Sequence, residues 1–176
     1  MTVDIAYGGA FYALLPADSI GLDLHQSPMR EIADAGAEIT RAVAKAVPIE
    51  HPGEPDLAFL YGTILTDGGD GAAIPSRNVC VFAGRQIDRS PTGSGVSARL
   101  ALQVARRQAR IGERRQFESC TGAVFTGRAL REAAPVGPRK AVVVEVGGIA
   151  HVTGESRFRF DDNDPLREGF TLGQAL

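Results

Sequence analysis

Apolar positions along this chain switch between two spacings, and the switches predict strands around two helices. Residues 3–7 and 11–15 alternate or run apolar on either side of Gly8-Gly9-Ala10, which predicts a strand pair about a glycine turn. From Pro28 onward Met29, Ile32, Ala33, Gly36, Thr40, Val43 and Val47 follow helical spacing. Pro28 suits a first turn and Pro48 a stop. A Pro/Gly loop at 51–56 precedes a predicted strand at 57–66, which the turn Asp67-Gly68-Gly69-Asp70-Gly71 ends. A strand is predicted at 77–83. A second helix, with Val96, Leu100, Val104 and Ile111 near one face, should close at Gly112. After Phe117 the pattern predicts strands at 122–127, 141–146, 149–153 and 157–160, with Gly147-Gly148 as a hairpin turn. The fold class expected is α+β.

Composition narrows the partners. Nineteen basic and twenty-one acidic residues leave a net charge of −2, which points to neither nucleic acid nor an anionic membrane. With 176 residues and 44% hydrophobic content, one domain can bury a sizeable core. Twenty-one glycines and ten prolines argue for many turns rather than a helix bundle. The two cysteines, Cys80 and Cys120, have no framework spacing and fit a reducing compartment as buried or inert thiols. No signal-peptide progression and no apolar run near the ~18 residues of a membrane span are present, so a cytoplasmic location is expected. His25, His51 and His151 are scattered without ligand spacing, and no metal is expected.

The most informative segment is Asp88-Arg89-Ser90-Pro91-Thr92-Gly93-Ser94-Gly95 running into Val96-Ser97-Ala98-Arg99-Leu100-Ala101. A turn of small residues entering a helix leaves several backbone N–H groups without intrahelical partners, at the positive end of the macrodipole. Such a junction can hold a carboxylate or phosphate without a lysine. An ordinary Ser/Thr cap is the competing reading. The segment is neither a P-loop, lacking Gly-Lys-Ser/Thr, nor a dinucleotide fingerprint, having Ala98 where the third glycine would stand.

Residues 88–99 closely resemble the second active-site motif of the proline racemase family, which also contains 4-hydroxyproline epimerases and trans-3-hydroxy-L-proline dehydratases. The resemblance extends through Val3-Asp4-Ile5-Ala6-Tyr7-Gly8-Gly9 with Phe11-Tyr12-Ala13, Arg77 to Phe82, Val124-Phe125-Thr126-Gly127 and the stretch from Asp162 to Phe170. It implies the diaminopimelate epimerase-like fold, a curved, mainly antiparallel sheet around a central helix, here expected at 94–110. Family members are about twice this size, with two lobes facing across a cleft, and the first lobe brings a cysteine in Met-Cys-Gly-His-Gly. That segment is absent here. The chain therefore resembles the second lobe alone, at 1–155, with a tail at 156–176 expected to return towards the absent first lobe. By itself it should show negligible turnover and carry an exposed apolar face. Dimerisation is left open.

Thr92 occupies the place of the racemases' second catalytic cysteine. A thiol, with a pKa of about 8.5, can be tuned to a thiolate; a threonine hydroxyl cannot ionise near neutral pH without a strong base. Racemisation needs an acid/base group on each face of the α-carbon. The threonine form of the motif resembles the trans-3-hydroxy-L-proline dehydratase branch instead, whose substrate is a small imino acid and which uses no cofactor. The resemblance implies that Gly93 and Ser94 N–H groups hold the carboxylate, Asp88 the ring ammonium, and Phe82 walls the pocket, while Thr92 sits near the reacting carbon. From local residues alone, Asp88 could cap or pair with Arg89, Phe82 could be ordinary core, and Arg99 reads as a solvated helix residue. Proline racemase or 4-hydroxyproline epimerase activity, and a non-catalytic carboxylate-binding lobe, are the alternatives.

Overall fold

The structure is a computed structural model that describes residues 2–170. Eight strands form one sheet: β1 (Asp4–Tyr7), β2 (Phe11–Pro16), β3 (Leu60–Thr66), β4 (Ser76–Phe82), β5 (Gln86–Ile87), β6 (Arg114–Glu118), β7 (Val124–Val136) and β8 (Arg139–Gly147). The order across the sheet is β1-β2-β3-β4-β6-β7-β8, with β5 paired to β4. Only β2–β3 and β4–β6 are parallel; the other pairings are antiparallel. A parallel pair cannot be joined by a tight turn. A 3-10 turn at Ala17–Ile20 and the helix α1 (Met29–Ala46) supply the β2–β3 crossover, and the second helix, α2 (Gly93–Ala105), lies in the β4–β6 connection.

Strand alternation decides which helix each residue meets. Ala13, Leu15, Leu65, Val79 and Val81 point to one face and pack on Ile32, Ala37, Ile39 and Val43 of α1. Tyr12, Leu14, Ile64 and Cys80 point to the other face and pack on Ala98 of α2. The far flank of α2, through Val96 and Leu100, meets Phe117 with Phe125, Val144 and Val146 of β6–β8. The sheet thus curls about α2, which touches both its ends. Asp4 of β1 forms an ion pair with Arg106, just past the end of α2.

This is the expected α+β fold: a curled, mainly antiparallel sheet around a central helix. Several boundaries differ from the sequence pattern. Residues 55–57 form a 3-10 turn, so the third strand begins at Leu60, because Pro55 fixes a tight turn there. Helix α2 stops at Ala105, earlier than expected; Arg107 takes a positive φ of 61°, and Ile111 lies exposed outside the helix. The hairpin turn falls between Val136 and Arg139 rather than at Gly147-Gly148, since β7 continues to Val136 and β8 begins at Arg139. Residues 149–153 and 157–160 form no strands: beyond Gly147, where β8 ends, the chain pairs with no described strand and is exposed, including Ile149, Val152, Phe158 and Phe160. The last part of the tail at 156–176, residues 171–176, lies outside the described residues.

Candidate active site

Strand β4 turns back at Ala83 and Gly84, both at positive φ, and β5 returns beside it until the Asp88 N–H donates to the Cys80 carbonyl at 3.1 Å. This pairing places Asp88 next to the middle of β4. Its Oδ1 accepts from the Ser90 N–H at 2.8 Å, and its Oδ2 accepts from the Thr92 hydroxyl at 2.8 Å. The Ser90 Oγ in turn accepts from the Thr92 N–H at 3.1 Å. Each Asp88 carboxylate oxygen retains a lone pair for a further donor. The loop after β6 braces this turn from behind: Thr121 donates to the Arg89 carbonyl at 2.8 Å, and the Cys120 thiol lies 3.7 Å from the Asp88 carbonyl.

Thr92 stands at the N-cap of α2, but its hydroxyl does not cap the helix. Turned back to Asp88, it leaves the helix start open. The first intrahelical bond is Val96 N–H to the Thr92 carbonyl at 2.8 Å. Among the described residues nothing accepts from the N–H groups of Gly93, Ser94 or Gly95. A side-chain carbon placed on Gly93 would meet no atom within 4 Å, so open space borders the helix start. Helix starts of this kind attract carboxylates.

The hairpin between β1 and β2 closes over the first turn of α2. A Cβ on Gly8 would lie 2.1 Å from the Ser94 carbonyl oxygen and 2.4 Å from the Ala98 nitrogen, so only glycine admits this approach. Tyr12, fully buried, reaches the Ser94 hydroxyl at 2.7 Å. Burial pushes the Tyr12 phenol up to about 12, the Ser94 hydrogen bond notwithstanding, so it stays protonated through the neutral range. Phe82 is half-buried and stacks on Tyr61 with ring centroids 5.5 Å apart; Tyr61 also meets Tyr12 edge-on at 5.6 Å. Tyr61 and Phe59 extend this aromatic wall to the exposed surface. The two pockets described on the surface lie elsewhere, around Ile5, Phe11 and Val47 and around Ala17, Leu24 and Thr66; residues 88–94 line neither.

Both cysteines are free thiols. Burial pushes the Cys80 thiol up to about 12, against a Thr92 hydrogen bond that pulls the other way. Burial also raises Cys120. Neither supplies a thiolate near neutral pH.

The model of the proline racemase family matches residues 1–171. The chain belongs to the proline racemase family. Within it, the chain is 54% identical over 172 residues to a human trans-3-hydroxy-L-proline dehydratase, covering 97% of this chain and 48% of the relative. It is 41% identical over 172 residues to a 3-hydroxyproline 2-epimerase of Burkholderia multivorans, covering 98% and 51%. Among solved structures, a hydroxyproline epimerase of Agrobacterium vitis with bound trans-4-hydroxy-L-proline superposes with a TM-score of 0.84 at 28% identity, covering 98% of this chain and 49% of that one. A probable proline racemase of Agrobacterium radiobacter with bound carbonate gives 0.84 at 29%, covering 97% and 49%. The chain spans about half the length of the relatives it matches.

The geometry gathers Asp88, Thr92, Gly93 and Ser94 within one turn, with Phe82 at the end of the adjoining strand. Asp88 bonds to Thr92 and Ser90 rather than to Arg89. Arg99 is a correction: it is 4% exposed, with its guanidinium forked over main-chain and side-chain oxygens of the β3–β4 region. Its spacing from Val96, Leu100 and Gln103, all buried, was the available signal. Tyr12, Tyr61 and Asn78 were also missed. Strand alternation places Tyr12 with Leu14, and a buried tyrosine needs a partner for its hydroxyl, which pointed to a polar neighbour such as Ser94.

Proposed function

We propose that this chain is the second half of a cofactor-independent hydro-lyase that removes water from trans-3-hydroxy-L-proline, giving a pyrroline-2-carboxylate. The observation that carries the reading is Thr92: a hydroxyl bonded to Asp88 where a thiol would be needed, with burial raising both thiols of the chain. One face of a bound imino acid then has no base. A base from a first lobe, the half of the relatives that this chain does not span, removes the α-proton on the other face. The electron pair forms the C2–C3 double bond as the C3–O bond breaks, and the hydroxyl, cis to the α-hydrogen in this isomer, leaves as water with the proton the base has taken.

The Gly93 and Ser94 N–H groups receive the carboxylate in this reading. Hydrogen bonds to a charged group are worth about 1.5–3 kcal/mol each. They gain further weight as α-proton loss pushes charge into the carboxylate, because the donors are already fixed. Asp88 uses its remaining lone pairs on the ring ammonium, Phe82 and Tyr61 wall the ring, and Thr92 presents an uncharged hydroxyl to the α-carbon from the face away from the base. Residues 1–155 act as the second lobe. The tail from 156 docks on the first lobe, which gives its exposed Phe158, Phe160, Leu166 and Phe170 a surface to cover them. The two free thiols suit the cytoplasm. The similarity to a 3-hydroxyproline 2-epimerase supports a second reading, inversion at the α-carbon.

The test joins this chain behind the first half of the human relative and offers trans-3-hydroxy-L-proline, trans-4-hydroxy-L-proline and L-proline in deuterium oxide. Water loss from the first substrate alone supports the lyase. Inversion of any of the three without water loss establishes the second reading. No reaction with any of them overturns both and leaves a carboxylate-binding lobe. Size-exclusion of the chain alone shows whether its apolar tail instead finds a second copy.

A further inference from the structure

Thr92 is β-branched, yet its backbone sits at φ 66° and ψ 107°, a region that side-chain-bearing residues rarely adopt. Such a conformation persists only where the surroundings over-determine it. Three of its restraints are local: the Ser90 hydroxyl on its N–H, Asp88 on its hydroxyl, and Val96 on its carbonyl. The fourth comes from the sheet. The Asn78 Nδ2 donates to the Pro91 carbonyl at 2.6 Å. The peptide joining Pro91 to Thr92 is therefore clamped at both edges, oxygen by Asn78 and N–H by Ser90. With Gly93 already in the helix, the Thr92 φ has no room to relax.

Asn78 is fully buried in β4, beside Val79, Cys80 and Val81, where an apolar residue would be the default. Its amide has only one workable orientation. The Pro91 carbonyl can only accept, and the Arg99 guanidinium near its Oδ1, at 3.4 Å, can only donate. Arg99 also donates to the Gly69 carbonyl, the Ser76 hydroxyl and the Arg77 carbonyl, and its guanidinium lies 5.1 Å over the Phe117 ring. A buried arginine without a carboxylate partner at contact distance is a costly arrangement. Here it links the loop before β4 to the Asn78 amide and hence to the turn ahead of Thr92.

We propose that Asn78, held by Arg99, is a positioning residue for Thr92: it fixes the Pro91–Thr92 peptide, and so the relation between the Thr92 hydroxyl and the Gly93 and Ser94 N–H groups. Its catalytic consequence rests on the reading of those groups as substrate-facing. Its structural content does not.

Asn78→Asp isolates the donor. The shape and the acceptor towards Arg99 remain, now as an ion pair, but a carboxylate oxygen replaces the N–H facing the Pro91 carbonyl. In the 176-residue chain, the three-bond amide–Hα coupling and carbon shifts of Thr92 report its φ. The variant should move them out of the positive-φ range and shift the amide signals of residues 92–94, while the strand signals stay in place. In the protein completed by the first half of the human relative, kcat should fall about tenfold to a hundredfold, with KM within about threefold, as expected for a misplaced reacting group. An unchanged Thr92 signature, or an unchanged kcat beside a changed one, overturns the proposal. If Asn78→Asp does not fold, Arg99→Lys decides. It keeps the charge but loses the fork, and it must loosen the same Thr92 signature or the proposal fails. A Thr92→Ala control separates the two ideas: full turnover in that variant removes Thr92 from the chemistry, while the Thr92 φ measurement still judges Asn78 on its own.

Discussion

Thr92→Gly and Thr92→Ala should invert the usual order of stability. Both variants lose the hydroxyl bond to Asp88 and the contact with Cys80, so those losses cancel in the comparison. What differs is the Cβ. An alanine at φ 66° keeps the strain of a side-chain-bearing residue in a sparsely populated region, about 1–3 kcal/mol. Glycine avoids that strain but loses more chain entropy on folding, about 0.5–1 kcal/mol. The balance favours glycine by roughly 1 kcal/mol. With a urea m-value of about 2 kcal/mol/M, its unfolding midpoint should stand about 0.5 M above that of the alanine variant. Far-UV circular dichroism against urea on the 176-residue chain reads this directly. Ala101→Gly, inside α2, is the reference and should cost about 1 kcal/mol in the ordinary direction. An alanine variant equal to or more stable than the glycine variant would show that residue 92 does not hold a positive φ, and the account of this turn would fall with it.

Gly8→Ala should destabilise the chain by about 3 kcal/mol in the same assay, since its Cβ would meet main-chain atoms of α2, whereas Gly53→Ala, with open space around it, should stay within about 0.5 kcal/mol. Equal effects at the two sites would refute the close approach of the first hairpin to α2. Burial pushes the Asp67 carboxyl up, but donors from Ser76, Arg77 and Gly69, with Arg99 nearby, outweigh it and hold the group below its ordinary value. Its contribution to stability is therefore fully present above the unfolded value of about 3.9 and is lost as pH falls through the lower folded one. The stability gap between wild type and Asp67→Asn should close in that acid window; a gap constant with pH would refute the assignment.

The parts of the fold governed by local spacing were legible in the sequence. Met29 to Ala46 carried a one-sided apolar stripe, and the glycine pair at 8–9 marked the first hairpin. The turn at 88–95 suggested an open helix start against an ordinary Ser/Thr cap, and the Thr92 hydroxyl, turned to Asp88, decides for the open one. What could not be read depended on partners distant in the chain. β6 is short and polar at every position but Phe117, so only its pairing with β4 and β7 makes it a strand. Residues 149–160 have strand-like composition, yet a strand needs a partner, and they pair with none of the described strands. Arg99 looked solvated because its acceptors come from residues 69–78, and Asn78 looked incidental because its acceptor, the Pro91 carbonyl, belongs to a turn thirteen residues away.

Helix α2 fills the hollow of the sheet, and Asp4 pairs with Arg106 across a hundred residues of chain. A ribosome making this polypeptide therefore releases strands β1–β5 before the helix they must enclose. Those strands have to wait, and a nascent chain stalled ahead of residue 93 would display the inner side of its sheet to chaperones or to neighbouring nascent chains. The face that meets α1 can close early, but the inner hollow closes only when α2 and then β6–β8 have followed, so the two sides of this sheet mature at different points of synthesis.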